Sequence, residues 1–248
     1  MPPRIHTDTP LAAGSTVALP PGASRHVQVL RLQPGAELTL FNGHGGQWSA
    51  EVVEMGRKTV TARVLSHQAL ECELATRVTL ALGMPANERM DTVVEKATEL
   101  GAAAVQPLVC ERSVLRLAGE RAERKAAHWQ GVAVAACEQS GRNRVPQIHP
   151  PLTLAAWLAA LPPASADEQR LLLSLAEGTR PLRTLLGACP PAASLCVLSG
   201  PEGGLSAHEL AAAAAAGFEP TTLGPRVLRA DTAPLAVLAS VATLENPA

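Results

Sequence analysis

The sequence predicts an α/β domain with a mostly parallel sheet, preceded by a small β-barrel. Two changes of pattern along 248 residues carry this reading. The first 70 or so residues hold short alternating runs separated by Gly and Pro, which suits a small barrel. From about Cys72, continuous apolar runs alternate with helical periodicity, which suits a sheet buried on both faces. The length allows one large domain, or a moderate one with a small companion.

In the first part, Thr16 to Leu19, Ala36 to Phe41, Trp48 to Val53 and Thr59 to Leu65 read as strands. Asn42-Gly43 reads as a hairpin-type turn. In the second part, Val78 to Leu82 is a buried strand. Met90, Val93, Val94, Ala97 and Leu100 then recur at helical spacing, closed by Gly101. Val105 to Val109 is strand-like, and Glu120 to Ser140 is helical. Thr153 caps a short helix to Leu161. Leu171 to Leu175 and Leu195 to Ser199 are buried strands. Ser206 with Glu209 forms a capping box for an Ala-rich helix ending at Gly217. Thr221 to Leu223 is a short strand, and Asp231 opens a last helix that tolerates Pro234 in its first turn.

Composition narrows the function. Aromatic residues are only 2% of the chain: three Trp, two Phe and no Tyr. A sheet of rings stacking single-stranded bases is therefore not expected. Net charge is −1, so any RNA-binding charge must sit on one face. Up to Leu70, Arg4, Arg25, Arg31, Arg57, Lys58 and Arg63 outnumber Asp8, Glu37, Glu51 and Glu54 by two, which a solvated surface explains equally well. Cys72, Cys110, Cys137, Cys189 and Cys196 are odd in number and form no CxxC pair. A disulfide framework or zinc ribbon is not expected, and the His residues lack ligand spacing, so no metal is expected. Neither a signal segment nor a membrane-length apolar run is read, so a cytoplasmic protein is expected.

Ligands of such sheets bind beyond the carboxyl ends of the strands. Three strand ends carry glycines there: Leu175-Ala176-Glu177-Gly178, Ser199-Gly200-Pro201-Glu202-Gly203-Gly204, and Leu223-Gly224-Pro225-Arg226-Val227-Leu228-Arg229. These are neither a GxGxxG fingerprint nor a Walker loop. They offer backbone groups, which suit an uncharged adenosine better than a pyrophosphate.

Several segments are similar to those of one family. Ser199 to Ser206 with Glu209 resembles the GPEGG-F-S-x-x-E loop of the RsmE family, within the SPOUT superfamily. Leu223 to Ala233 resembles its LG-x-x-I-L-R-x-E-T-A segment, and Glu95 to Gly101 its K-A-T-E-L-G helix. Arg112-Ser113, Glu138 to Arg142, Pro3-Arg4 and His26 to Arg31 resemble further signatures, in order along the chain. Two positions depart from the pattern: Leu205 stands for the usual Phe, and Asp231 for the usual Glu.

The resemblance implies a PUA-like RNA-binding barrel over residues 1–72 and a trefoil-knotted SPOUT methyltransferase domain over 73–248. It implies transfer of a methyl group from S-adenosylmethionine to N3 of a uridine in 16S ribosomal RNA of the small subunit, by a homodimer. Cofactor contacts are expected at Leu175, Glu177, Gly178, Ser199, Gly200, Pro201, Glu202, Gly203, Gly204, Leu223, Gly224, Val227, Leu228 and Arg229. Arg229 is also the expected catalytic guanidinium, beside developing charge on the base, with Glu138 as a base or hydrogen-bond acceptor. Arg4, His26, Arg31, Arg112 and Arg142 are expected RNA contacts. Arg121, Arg124 and Lys125 are read as a solvated helix face. A nucleotide-dependent oxidoreductase, a non-catalytic RNA-binding module, and a SPOUT enzyme with another target nucleotide remain as rivals.

Overall fold

In this computed structural model the described residues are 2–85, 89–187 and 194–245. They form two compact units. The first takes in Met1–Glu73 and Val134–Val145, the second Leu74–Ala133 and Pro146–Ala248.

The first unit carries β1 (Arg4–His6), β2 (Thr16–Ala18), α1 (Pro21–Val29), β3 (Glu37–Phe41), β4 (Gln47–Met55) and β5 (Val60–Gln68). Its described strands pair in the order β1-β3-β4-β5-β2. The β1–β3 pair is parallel and the others are antiparallel. Alternation puts Leu38 and Leu40, Ala50 and Val52, and Ala62 and Val64 on one face, where they pack with Ile5, Leu19 and Val27. Two features differ from the sequence reading. The β3–β4 connection is a longer loop, with Gly43, Gly45 and Gly46 all at positive φ, because Leu40 pairs with Trp48 and leaves 42–46 to span the turn. Helix α1 was not anticipated. Its buried stripe is only Ala23, Ser24 and Val27, and it starts Pro-Gly, which reads as a turn. Ser24 secures it by donating to the Leu19 carbonyl and accepting from the Val60 N–H.

The second unit opens with β6 (Arg77–Gly83), α2 (Arg89–Glu99) and β7 (Ala104–Val109), followed by α3 (Gly119–Ser140), whose last residues belong to the first unit. There follow β8 (Gln147–Ile148), β9 (Leu152–Thr153), α4 (Leu154–Ala160), β10 (Glu168–Leu173), β11 (Arg180–Pro181) and α5 (Leu182–Leu186). The chain ends with β12 (Ser194–Ser199), α6 (Ala207–Ala215), β13 (Glu219–Thr222) and α7 (Thr232–Glu245). Strand order is β11-β13-β10-β12-β6-β7-β8, with β9 beside β7. Every pairing in this sheet is parallel. Leu195 to Ser199 are buried in succession, as a strand covered on both faces requires.

Local signals resolve as the sequence suggests. Thr153 accepts from the Ala156 N–H, and Ser206 and Glu209 close a reciprocal capping box. Asp91 ties α2 to α3 by accepting from Trp129 Nε1 at 2.9 Å while its other oxygen lies 2.6 Å from His128 Nε2. Burial alone would raise the Asp91 pKa, but these donors outweigh it and the net shift is downward. Cys110, Cys137 and Cys196 are buried, and burial pushes each thiol up to about 12. They are therefore protonated near neutral pH and poor nucleophiles. Cys189 lies outside the described residues. Among the described residues no helix is long and apolar enough to cross a membrane, and no cluster of three or more His, Cys, Asp or Glu could hold a metal ion.

Candidate active site

Strands β13, β10 and β12 are neighbours, and register pairs Leu172 with Leu198 and Leu173 with Thr221. Parallel pairing therefore brings the three glycine-bearing strand ends to one edge of the sheet. A cavity of about 680 Å³ opens there. That is the size range of small-molecule sites, roughly 300–1,000 Å³. Leu175, Ser199, Gly200, Pro201, Glu202 and Gly204 line it, as do Leu223, Val227, Leu228 and Arg229. Glu177, Gly178, Gly203 and Gly224 are not among the lining residues. Glu177 and Gly178 are exposed beyond the first loop. Gly203 faces Arg112, and Gly224 serves the turn after β13.

The cavity wall is largely main chain. Gly204 donates to the Pro201 carbonyl at 2.8 Å with φ +68°, so the β12 loop curls on itself. A Cβ at Gly200 would sit 3.2 Å from the Gly204 carbonyl carbon and the Leu205 nitrogen. Below, the end of β6 comes so close that a Cβ at Gly83 would lie 2.5 Å from the Pro201 nitrogen. Arg112 props the loop from outside, its Nη1 donating to the Gly203 carbonyl at 3.1 Å while the residue stays exposed. In the third loop, Thr222 Oγ1 accepts from the Gly224 N–H, with Gly224 at φ +110°. The Arg229 carbonyl accepts from the N–H groups of Thr232 and Ala233, which locks Arg229 to the start of α7.

Sequence reasoning missed several lining residues. Ser174 and Thr221 add hydroxyls next to Ser199, and Leu173 and Leu205 add aliphatic surface. Arg226 and Ala230 lay inside the quoted motif but were not singled out. Arg89 carried no local signal. It arrives from the start of α2 and pairs with Asp231 Oδ2 at 3.3 Å. This is the contact made by the residue that stands for the usual Glu.

The remaining candidates lie in the first unit. His26 Nδ1 lies 3.1 Å from one oxygen of Glu138, and the other oxygen accepts from the His6 N–H at 2.9 Å. Glu138 thus has both oxygens engaged, as a hydrogen-bond acceptor within the first unit. Arg4 donates to Gln47 Oε1 at 2.5 Å, to the Arg142 carbonyl at 3.0 Å and to Asn143 Oδ1 at 2.7 Å, and stacks over Phe41. Arg142 is 3% exposed and pairs with Glu73, its Nε donating to Oε1 at 3.1 Å. Both guanidiniums are committed to the fold, so neither is an open RNA contact. Arg31 is exposed and, among the described residues, the one non-glycine at positive φ, +55°.

The burial of Arg142 has a measurable consequence. Breaking a buried pair leaves an uncompensated charge. Arg142→Ala should therefore lower unfolding free energy by about 3–5 kcal/mol in a denaturant titration. A variant as stable as the parent would contradict the structural role.

The family described as the RNA methyltransferase domain matches residues 72–242, and the RNA methyltransferase PUA domain matches residues 19–65. A Synechocystis protein named ribosomal RNA small subunit methyltransferase E is 34% identical over 93% of this chain and 74% of its own length. The chain belongs to the ribosomal RNA small subunit methyltransferase E family. A Mycobacterium tuberculosis protein of the same name is 32% identical over 88% of this chain and 82% of its own. Two solved structures agree with the fold throughout. A methyltransferase E from Neisseria gonorrhoeae bound to S-adenosylmethionine has a TM-score of 0.88 at 34% identity, covering 98% of each chain. A Legionella pneumophila methyltransferase, also holding S-adenosylmethionine, has a TM-score of 0.89 at 31% identity, covering 97% of each. Family membership makes this an RNA methyltransferase with a PUA-like N-terminal domain before a parallel α/β sheet.

Proposed function

We propose that the chain methylates N3 of a uridine in 16S ribosomal RNA of the small subunit, using S-adenosylmethionine. The observation that carries this reading is the cavity at the carboxyl ends of β10, β12 and β13, walled by main chain and bordered by Arg229. The donor fits it chemically. Backbone groups of the β12 and β13 loops suit a purine edge, the hydroxyls of Ser174 and Ser199 suit a ribose or amine, and the aliphatic lining suits a thioether chain. We assign the cofactor to Leu175, Ser199, Gly200, Pro201, Glu202, Gly204, Leu223, Val227 and Leu228.

When bound, the donor supplies an electrophilic methyl group on a sulfonium. The protein's task is the acceptor. Uridine N3 carries a proton near neutral pH and becomes nucleophilic as that proton passes to solvent water. Arg229, fixed by its carbonyl at the start of α7, stabilises negative charge that spreads onto O2 and O4. Holding the base in line with the methyl supplies much of the remaining rate.

The rest of the reading follows the family. Residues 1–72 bind RNA, and 73–248 carry the chemistry. His26, Arg31 and Arg112 contact RNA. Reaching β13 from β12 takes the chain past β10, which supports a trefoil knot through the three loops. Val114, Leu175 and Val227 border the cavity at 80%, 58% and 81% exposure, and a second copy of the chain covers them in a homodimer. The protein works in the cytoplasm.

Incubation with labelled S-adenosylmethionine and undermethylated small subunits tests the assignment. Label is expected in 3-methyluridine of 16S RNA. Label on a ribose oxygen or on another base would replace this reading.

A further inference from the structure

Three guanidiniums line the cavity: Arg89, Arg226 and Arg229. The lining carries one carboxylate, Glu202. Arg89 is paired with Asp231. The guanidiniums of Arg226 and Arg229 have no hydrogen-bond or ion-pair partner among the described residues.

The methyl donor can match at most one of these two guanidiniums. It carries a sulfonium, an ammonium and one carboxylate, so its own net charge is positive. A cavity meant for the donor alone would not be expected to hold two spare cations. The matching anion must come with the other substrate. Arg229 is assigned to the reacting base, which leaves Arg226.

We infer that Arg226 is the binding site for a phosphodiester group of the target RNA, flanking the nucleotide that enters the cavity. The inference rests on the methyltransferase reading above. The two arginines sit three residues apart on one loop, but their backbones differ. Arg229 is locked to α7 by two hydrogen bonds. Arg226 is exposed between Pro225 and Val227, which is itself 81% exposed, in a stretch with no helix or strand. Both side chains are exposed, but the anchored main chain of Arg229 suits a group that must meet the reacting base. Arg226, in the irregular stretch after Gly224, suits a backbone phosphate, which needs charge near it and no sequence-specific geometry. A nucleotide held in the cavity has a phosphate on each side, so an anion within a few ångströms of its base is always present.

The test measures the dissociation constant for undermethylated small subunits against salt, with S-adenosylhomocysteine present, for the parent, Arg226→Ala and Arg226→Lys. Loss of one phosphate contact should reduce the slope of log affinity against log salt by about 1, and weaken binding roughly fivefold to tenfold near 0.1 M salt. Arg226→Lys should restore the slope, since a phosphate accepts either cation. Calorimetry should give the same S-adenosylhomocysteine affinity for all three. An unchanged slope in Arg226→Ala overturns the proposal. So does a loss of S-adenosylhomocysteine affinity, which would place Arg226 on the cofactor's carboxylate. Parent protein that takes up no S-adenosylhomocysteine overturns the methyltransferase reading itself, and the proposal with it.

Discussion

Arg229→Ala should slow methyl transfer by about 10²–10³-fold while changing S-adenosylhomocysteine affinity by less than about threefold. The asymmetry follows from where the charge appears. Before reaction the uridine is neutral, and a guanidinium beside it contributes little. As N3 loses its proton, negative charge grows on the ring, and the same guanidinium becomes a charge-assisted donor to it. The main chain that carries it is held by the two hydrogen bonds from Thr232 and Ala233 to the Arg229 carbonyl. Single-turnover methylation of small subunits measures the first quantity and calorimetry the second. Equal losses in both would move Arg229 from the base to the cofactor. Arg229→Lys should fall between the two, because one ammonium keeps the charge but not the planar fork.

The second large effect is expected at Gly83, which lies outside all three glycine loops. A methyl group there would sit 2.5 Å from the Pro201 nitrogen and 2.9 Å from the Gly200 carbonyl carbon. Neither atom belongs to a flexible side chain, so the β12 loop itself must shift. Overpacking of this kind costs about 1–3 kcal/mol, and a displaced wall should cost at least about tenfold in S-adenosylhomocysteine affinity. Two further glycines separate crowding from backbone strain. Gly204 has φ +68° with open space around its Cβ position. Gly204→Ala should therefore cost stability of about 1 kcal/mol with less loss of affinity. Gly131, in the interior of α3, has nothing within 4 Å, and Gly131→Ala should stabilise by about 0.5–1 kcal/mol. Thermal unfolding and calorimetry on the three variants give the ranking. Parent-like affinity in Gly83→Ala would show that the loop yields without harm to the cavity.

The sequence was informative where the determining interactions are local. Ser206 and Glu209 are three residues apart, so their capping box can be read directly, and it forms. Leu195 to Ser199 is apolar in succession because both faces are covered, and that too is visible in one short window. The three strand ends were legible because glycines mark places where main chain bends or comes close. Distance along the chain is what defeats such reading. Arg142 looked like an RNA contact because an arginine in a signature has no visible partner, and Glu73 is 69 residues away. Arg89 reaches the cavity across 142 residues to Asp231. Gly83 lies just past the strand read at Val78 to Leu82, and nothing local places Pro201 beside it. Helix α1 was hidden by a buried stripe of two small residues and one valine.

The discontinuity of the first unit bears on how the chain is made. Glu138, Arg142 and Asn143 hold the His6 N–H, Glu73, Arg4 and the Leu70 carbonyl, and all four partners are synthesised long before them. A nascent chain that has emerged only as far as residue 73 holds the five strands but lacks those groups. It must wait with Glu73 lacking its arginine, and Arg4 holding only Gln47 and Phe41, until residue 145 has left the exit tunnel. Residues 74–133, a little over a third of the second unit, are translated during that interval. The N-terminal portion therefore matures late although it is made first, and a gene truncated after residue 73 is expected to yield an unstable product.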